Sequence, residues 1–436
     1  MKIVIVGGSF AGVTAAVTAR KKFPKAEIVL LEKKNTIGFI PSALHLILNG
    51  EIESLQQAYF ISEAEIEEHN IHLILAAEVK KMDIENQIIS YENQNILKNI
   101  AYDKLILATG STQNSYRIKG IDSEKILKYK SIEKAQEALA LVNENQTFTI
   151  VGGGQVGVEM ADCLVRQNKK VQLIESMSGI LVKYFDQEML APLLLEMKNK
   201  GVISYFNETV QEIKEIENRV ILTTNNQEIE SECAVFALSV KPNLPYLDPT
   251  IRCHEDGSIF VDEYLKTSVE NIFAIGDCIQ IPSSLSSETF YVSLTNNAVR
   301  AGVVVVDNLV EPQTVFIGSA RTIGTKVFDY FIASTGMTEA ESIFFDEEIS
   351  TTYVTQSSSL FNEESIKGKL LYNKETRKIL GAQFISKSNI LEKINTLSLG
   401  IQMGITVEEL AQKDYYFHPA WSPVYDVTNQ LGLMKD

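Results

Sequence analysis

The chain has 436 residues, 45% of them apolar and 22% charged, with a net charge of −16. That length exceeds what one hydrophobic core organises and implies two or three domains. The acidic balance argues against nucleic acid and against an anionic membrane surface, since both select Lys and Arg.

No apolar run approaches the roughly 20 residues needed to span a bilayer, so no membrane insertion is expected. The first predicted element is a buried strand that begins at Lys2, with no signal-peptide pattern after it. The four cysteines (Cys163, Cys233, Cys253, Cys278) have no CxxC spacing and no metal-ligand pattern with the five histidines. The expectation is therefore no metal, and the reduced thiols of a cytoplasmic protein.

Strand, glycine turn, helix, strand and acid then follow in chain order. Gly7-Gly8-Ser9-Phe10-Ala11-Gly12 leads into a small-residue helix, and residues 26–31 predict a second strand ending at Glu32. In a βαβ unit, Gly7 permits the tight turn and Gly12 lets helix and sheet approach closely. Ser9 is small enough to leave room for a pyrophosphate at the helix N-terminus. Glu32 is placed to accept hydrogen bonds from ribose hydroxyls.

The signature returns at Thr147–Val151, with Gly152-Gly153-Gly154-Gln155-Val156-Gly157 and a strand ending at Glu175. Glu175 suits an unmodified ribose and repels a 2′-phosphate. No arginine follows it closely, which favours NADH over NADPH. Two dinucleotide folds in one chain imply two dinucleotides facing each other, an arrangement for passing hydride from nicotinamide to flavin. Further on, Ser293-Leu294-Thr295-Asn296-Asn297-Ala298 reads as a capped helix start.

Other segments carry a family resemblance. Tyr102-Asp103-Lys104-Leu105-Ile106-Leu107-Ala108-Thr109-Gly110 resembles the segment that leaves an FAD domain. Thr267-Ser268 with Ile272-Phe273-Ala274-Ile275-Gly276-Asp277 resembles the second FAD motif, and Lys241-Pro242-Asn243 the turn after the NAD domain. Together these are similar to the pyridine nucleotide–disulfide oxidoreductases over essentially the whole chain. Within that family the likeness is to its single-cysteine branch of NADH peroxidases, NADH oxidases and coenzyme A–disulfide reductases. Val327-Phe328-Asp329-Tyr330, Ala333-Ser334-Thr335-Gly336, Leu380-Gly381-Ala382-Gln383 and Asp414-Tyr415-Tyr416-Phe417-His418-Pro419 are similar to that branch's interface domain.

The resemblance implies an α/β fold with two Rossmann-like domains and a C-terminal α+β dimerisation domain. FAD would be held by residues 1–112 and 245–313, NAD by 113–244, and the homodimer by 314–436. It implies FAD contacts at Gly7, Ser9, Gly12, Glu32, Val79, Thr109, Gly110, Asp277 and Thr295. NADH contacts are implied at Gly152, Gly154, Gln155, Gly157 and Glu175. The helix start at Thr295 would aim its dipole at the flavin, or else be an ordinary capped helix.

Three residues depart from the branch. Ser42 stands where its members carry their redox cysteine, and a hydroxyl has no oxidation ladder like a thiol's. Phe10 stands in place of an active-site histidine, and Gln155 in place of a tyrosine that gates the nicotinamide site. None of the four cysteines aligns beside the flavin. His418, followed by Pro419, is a candidate acid–base group near the dimer interface or a packed interface histidine. His45, one helical turn after Ser42, could border the same site.

Phe10 and Phe39 either pack the core or make the flavin's second face apolar. The leading expectation is an NADH oxidase in which reduced flavin reacts directly with oxygen, releasing hydrogen peroxide. Alternatives are an NADH-dependent reductase of an organic or protein acceptor, and a non-catalytic flavin- and NADH-responsive binding protein.

Overall fold

A computed structural model describes residues 1–113, 118–244, 246–286, 288–344 and 348–434. The expected restart of the FAD segment at residue 245 and the chain end at 436 fall outside them. Strand Lys2–Val6 has four of its five residues buried because it lies mid-sheet with both faces covered. Its parallel sheet runs Ile272–Ala274, Lys104–Leu107, Lys2–Val6, Glu27–Leu31, His72–Ile74. The outermost strand comes from far along the chain, pairing Ile272 with Leu105. The chain adds strands on one side of Lys2–Val6 and later on the other, and the resulting switch point opens a crevice at the strands' carboxyl ends.

A second parallel sheet repeats the plan in the order Ile203–Phe206, Lys170–Glu175, Thr147–Val151, Cys233–Phe236, Ile126–Leu127. The two folds are joined where Ser111–Gln113 pairs antiparallel with Val240–Pro242. That pairing corrects one expectation: Lys241 and Pro242 are in a short strand rather than a turn. Only Asn243 leaves the ladder, and its N–H donates to Gly110 O at 3.1 Å.

The third sheet is antiparallel, in the order Ile323–Val327, Tyr330–Gly336, Ile379–Ser386, Asn362–Asn373, Ile349–Ser359. Its first hairpin turns on Phe328 and Asp329, both at positive φ. Helices Leu391–Gln402 and Val427–Leu433 pack against this sheet. No helix among the described residues is long and apolar enough to cross a membrane.

Two packing features place the site. Phe39, Ala43, Leu44 and Leu48 follow the first fold's second strand, yet they share a core with Val158 and Cys163 of the second fold and Phe328 of the third sheet. The short helix Ala43–Leu48 therefore lies where all three units meet. A second junction is made by Lys369, which is fully buried and held by Asp186 Oδ2 at 2.7 Å, Glu188 Oε1 at 2.5 Å and Glu339 Oε2 at 2.6 Å. Burial disfavours the ammonium, but these carboxylates outweigh it and raise the lysine's pKa. The three acids are thus filled by a side chain that ties the second fold to the third sheet.

Candidate active site between the nucleotide folds

The two glycine turns have nearly the same shape. Gly7 has φ +113°, and a Cβ there would lie 2.1 Å from Ala108 O; a Cβ on Gly12 would lie 1.9 Å from Gly7 O. Gly152 has φ +111°, and a Cβ on Gly157 would again lie 1.9 Å from Gly152 O. Only glycine permits these approaches. Each turn also holds the acid at the end of the next strand. Gly8 N–H donates to Glu32 Oε2 and Gly153 N–H to Glu175 Oε2, both at 2.6 Å. The other oxygens accept from Lys34 N–H at 2.8 Å and Met177 N–H at 2.7 Å. Each carboxylate is thereby fixed at the cleft wall with lone pairs to spare for ribose hydroxyls.

Both turns line one continuous cleft of about 1550 Å3, larger than the roughly 300–1,000 Å3 of an ordinary small-molecule site. Helices Phe10–Lys22, Gln155–Arg166 and Thr295–Asp307 start at its wall from Ser9, Gly154 and Leu294, and none has a side-chain cap. Away from the cleft, Ser62, Thr406 and Asp426 do cap their helices. The expected cap at residues 293–298 is therefore corrected. The Ser293 hydroxyl instead donates to Asp277 Oδ2, which also accepts from Ser111 Oγ at 2.9 Å.

Open first-turn N–H groups suit phosphates and anionic rings. A Cβ on Gly154 would meet nothing within 4 Å, leaving space there for a ligand. The donor set fits a dinucleotide cofactor such as FAD. Val79, Thr109, Gly110 and Thr295 also line this cleft.

Where the two folds meet, Phe10, Ile40, Pro41, Ser42, His45, Gln155, Glu159 and Leu294 come together. Ser42 begins helix Ala43–Leu48 without using its hydroxyl as a cap, and it is exposed. Phe10 is half-buried and stacks on Phe60 with ring centroids 4.3 Å apart. Phe39 does not line the cleft. It is buried in the second fold's core, edge-on to Tyr59 at 5.5 Å, and Ile40 and Pro41 take the cleft wall instead.

No cysteine lines the cleft among the described residues. Burial pushes the Cys163 thiol up to about 12 and those of Cys233 and Cys278 up to about 11, which makes them poor nucleophiles. His418 is also away from its own chain's cleft. It is exposed, and its Nδ1 accepts from Ala420 N–H at 3.2 Å. Around it, Tyr416, Phe417, Trp421, Val424 and Tyr425 present an exposed apolar face.

Comparison with known proteins agrees with this geometry. Residues 1–302 match the model of the pyridine nucleotide-disulphide oxidoreductase family, and residues 322–427 match that family's dimerisation domain. The chain belongs to the pyridine nucleotide-disulphide oxidoreductases. It is 29% identical to an NADH oxidase of Enterococcus faecalis, covering 99% of this chain and 98% of that protein.

A crystal structure of a pyridine nucleotide-disulfide family oxidoreductase from E. faecalis V583 superposes with a TM-score of 0.91 at 45% identity. It covers 99% of this chain and 98% of that one. The water-forming NADH oxidase from Lactobacillus brevis bound to NADH superposes at 0.96 with 26% identity, covering 99% and 97%. The family places this chain among the FAD-dependent NADH oxidoreductases, with FAD and NADH as its cofactors.

Several residues of this family member carry no sequence motif. Lys34 Nζ donates to Lys130 O at 2.7 Å, linking the two folds at the cleft. The Lys130 ammonium is lowered by the crowding of the walls, with Asp277 opposing. Gln155 turns back along its own helix, with Nε2 donating to Glu159 Oε1 at 2.9 Å. Glu159 had one usable signal, its place four residues after Gln155 on the same helix face.

Proposed function

We propose that this enzyme oxidises NADH with molecular oxygen as acceptor and hydrogen peroxide as product. The observation that carries this reading is Ser42 at the meeting point of the two folds, in a cleft with no cysteine among its described lining residues. FAD, when bound, supplies the two-electron carrier between nicotinamide and acceptor. The chain's own residues do the rest. Gly152, Gly154, Gly157 and Glu175 hold the pyridine nucleotide, while Gly7, Ser9, Gly12, Glu32, Val79, Thr109, Gly110 and Asp277 hold FAD. The open N-terminus at Thr295 favours negative charge that develops nearby. The overall reaction is NADH + H+ + O2 → NAD+ + H2O2.

Forming water instead needs a second two-electron reduction of the peroxide. In the resembled branch a thiol supplies it, and Ser42 has none to offer. The water-forming activity named for the L. brevis protein is therefore not carried over. We also assign residues 1–112 and 245–313 to FAD, 113–244 to NAD, and 314–436 to a homodimer contact that covers the apolar face around His418.

A second reading has one observation in its favour. Phe10, Ile40, Pro41 and Leu294 make the flavin end apolar enough for a planar organic acceptor. Rapid mixing separates the two. NADH added without oxygen is expected to bleach the flavin, and oxygen admitted afterwards to restore its colour within one turnover time. Fast bleaching followed by slow recovery would instead favour the organic acceptor.

A further inference from the structure

Glu159 reaches the cleft with one oxygen filled and the other open. Oε1 accepts from Gln155 Nε2 at 2.9 Å and from Thr325 Oγ1 at 2.7 Å. Oε2 faces the His45 imidazole, with Nδ1 at 3.5 Å. His45 is 6% exposed, and neither ring nitrogen has a hydrogen-bond partner among the described residues. Buried polar groups left without partners are unfavourable, and a proton between His45 Nδ1 and Glu159 Oε2 would serve both. Burial pushes the Glu159 carboxyl up, but His45, Thr325 and Gln155 together bring it below its ordinary value.

The other titratable groups facing the pair keep their protons near neutrality. Tyr129, its ring 5.7 Å from the imidazole, has its phenol raised by burial and by Glu159. Cys163 Sγ lies 3.8 Å from His45 O, and burial pushes that thiol up to about 12. Ser42 and Gln155 carry no charge.

We propose that His45 and Glu159 form a proton-holding couple that supplies the proton oxygen reduction consumes, a role that rests on the oxidase reading above. Hydride from NADH brings two electrons and one proton, whereas O2 needs two electrons and two protons to become H2O2. The balance is H− + O2 + H+ → H2O2. Glu159 passes that proton on, and His45, which also borders the cleft, regains one from water. His45 acts through Glu159 and is a positioning residue, as are Gln155 and Thr325, which pin Oε1.

The test uses the FAD-loaded enzyme with 13C-labelled histidine. The resonance missing from His45→Gln identifies His45. In Glu159→Gln that resonance is expected to move at fixed neutral pH from the imidazolium towards the neutral-imidazole position. In His45→Gln, anaerobic bleaching by NADH is expected to stay within about twofold of the wild type. Recovery in oxygen is expected to slow by about tenfold or more, as for loss of a general acid. If His45→Gln does not retain FAD, Thr325→Val keeps the imidazole and is expected to shift the same resonance. A resonance unmoved by Glu159→Gln, or oxygen recovery unchanged in His45→Gln, overturns the couple even while peroxide remains the product. Water as the wild-type product overturns the oxidase reading instead, and the histidine resonance still judges the couple.

Discussion

The two glycine turns agree in backbone and part at the next two side chains. Gly7 and Gly152 differ by two degrees in φ, and Gly12 and Gly157 make the same close approach. Both acids accept from the turn at 2.6 Å. Then one chain segment reads Ser9-Phe10 and the other Gly154-Gln155. Phe10 stacks away onto Phe60, while Gln155 is spent on holding Glu159. The two turns thus share one backbone, and they part in the side chains that follow it.

The largest effect expected from breaking this comparison comes from Gly12→Val and Gly157→Val. Each forces a side chain against a carbonyl, overpacking that costs about 1–3 kcal/mol, or roughly 5- to 160-fold if it falls on the bound state. Gly12→Val should purify without flavin absorbance. Gly157→Val should keep its flavin and lose reduction by NADH, so equal loss of flavin in both would erase the assignment of the two seats.

Next comes Glu175→Arg, which exchanges a repelling carboxylate for a phosphate partner. A charged hydrogen bond is worth about 1.5–3 kcal/mol, so the NADPH-to-NADH ratio of kcat/KM should rise by about 10- to 100-fold. An unchanged ratio would remove Glu175 from the ribose site.

Ser42→Cys should create a thiolate-to-flavin charge-transfer band and lower the peroxide recovered per NADH. No new band would place residue 42 away from the flavin.

A smaller effect is the pH dependence of stability from the buried thiols. Cys163, Cys233 and Cys278 are raised to about 11–12 when folded, while in the unfolded chain they ionise from about 8.5. Their contribution is present below about 8.5 and is lost as pH climbs towards the folded values. The melting temperature should fall across that alkaline window, and a triple Cys→Ala variant should flatten the fall.

The smallest effect is Phe10→Ala. Losing a half-buried ring and its stack on Phe60 should cost about 1–2 kcal/mol in denaturant unfolding.

Much of the fold was legible because parallel strands buried on both faces read as unbroken apolar runs, and the glycine turns admit few substitutes. Three things were not legible. Residues 293–298 read as a capped helix, yet Ser293 turns to Asp277, a partner too distant in sequence for local pattern to reveal. Phe39 was ambiguous between core and cleft because its packing partners lie in the second fold. Glu159 looked like one more helical acid, since its partners His45 and Thr325 come from two other units. Backbone-determined features are local in sequence, and side-chain constellations are not.

The most direct measurement of the central claim is hydrogen peroxide formed per NADH consumed in air, with catalase excluded. The account predicts a ratio of about one, because the overall reaction passes one hydride to one oxygen molecule. A ratio near zero, with two NADH consumed for each oxygen, would contradict it and require a second reducing group in the cleft.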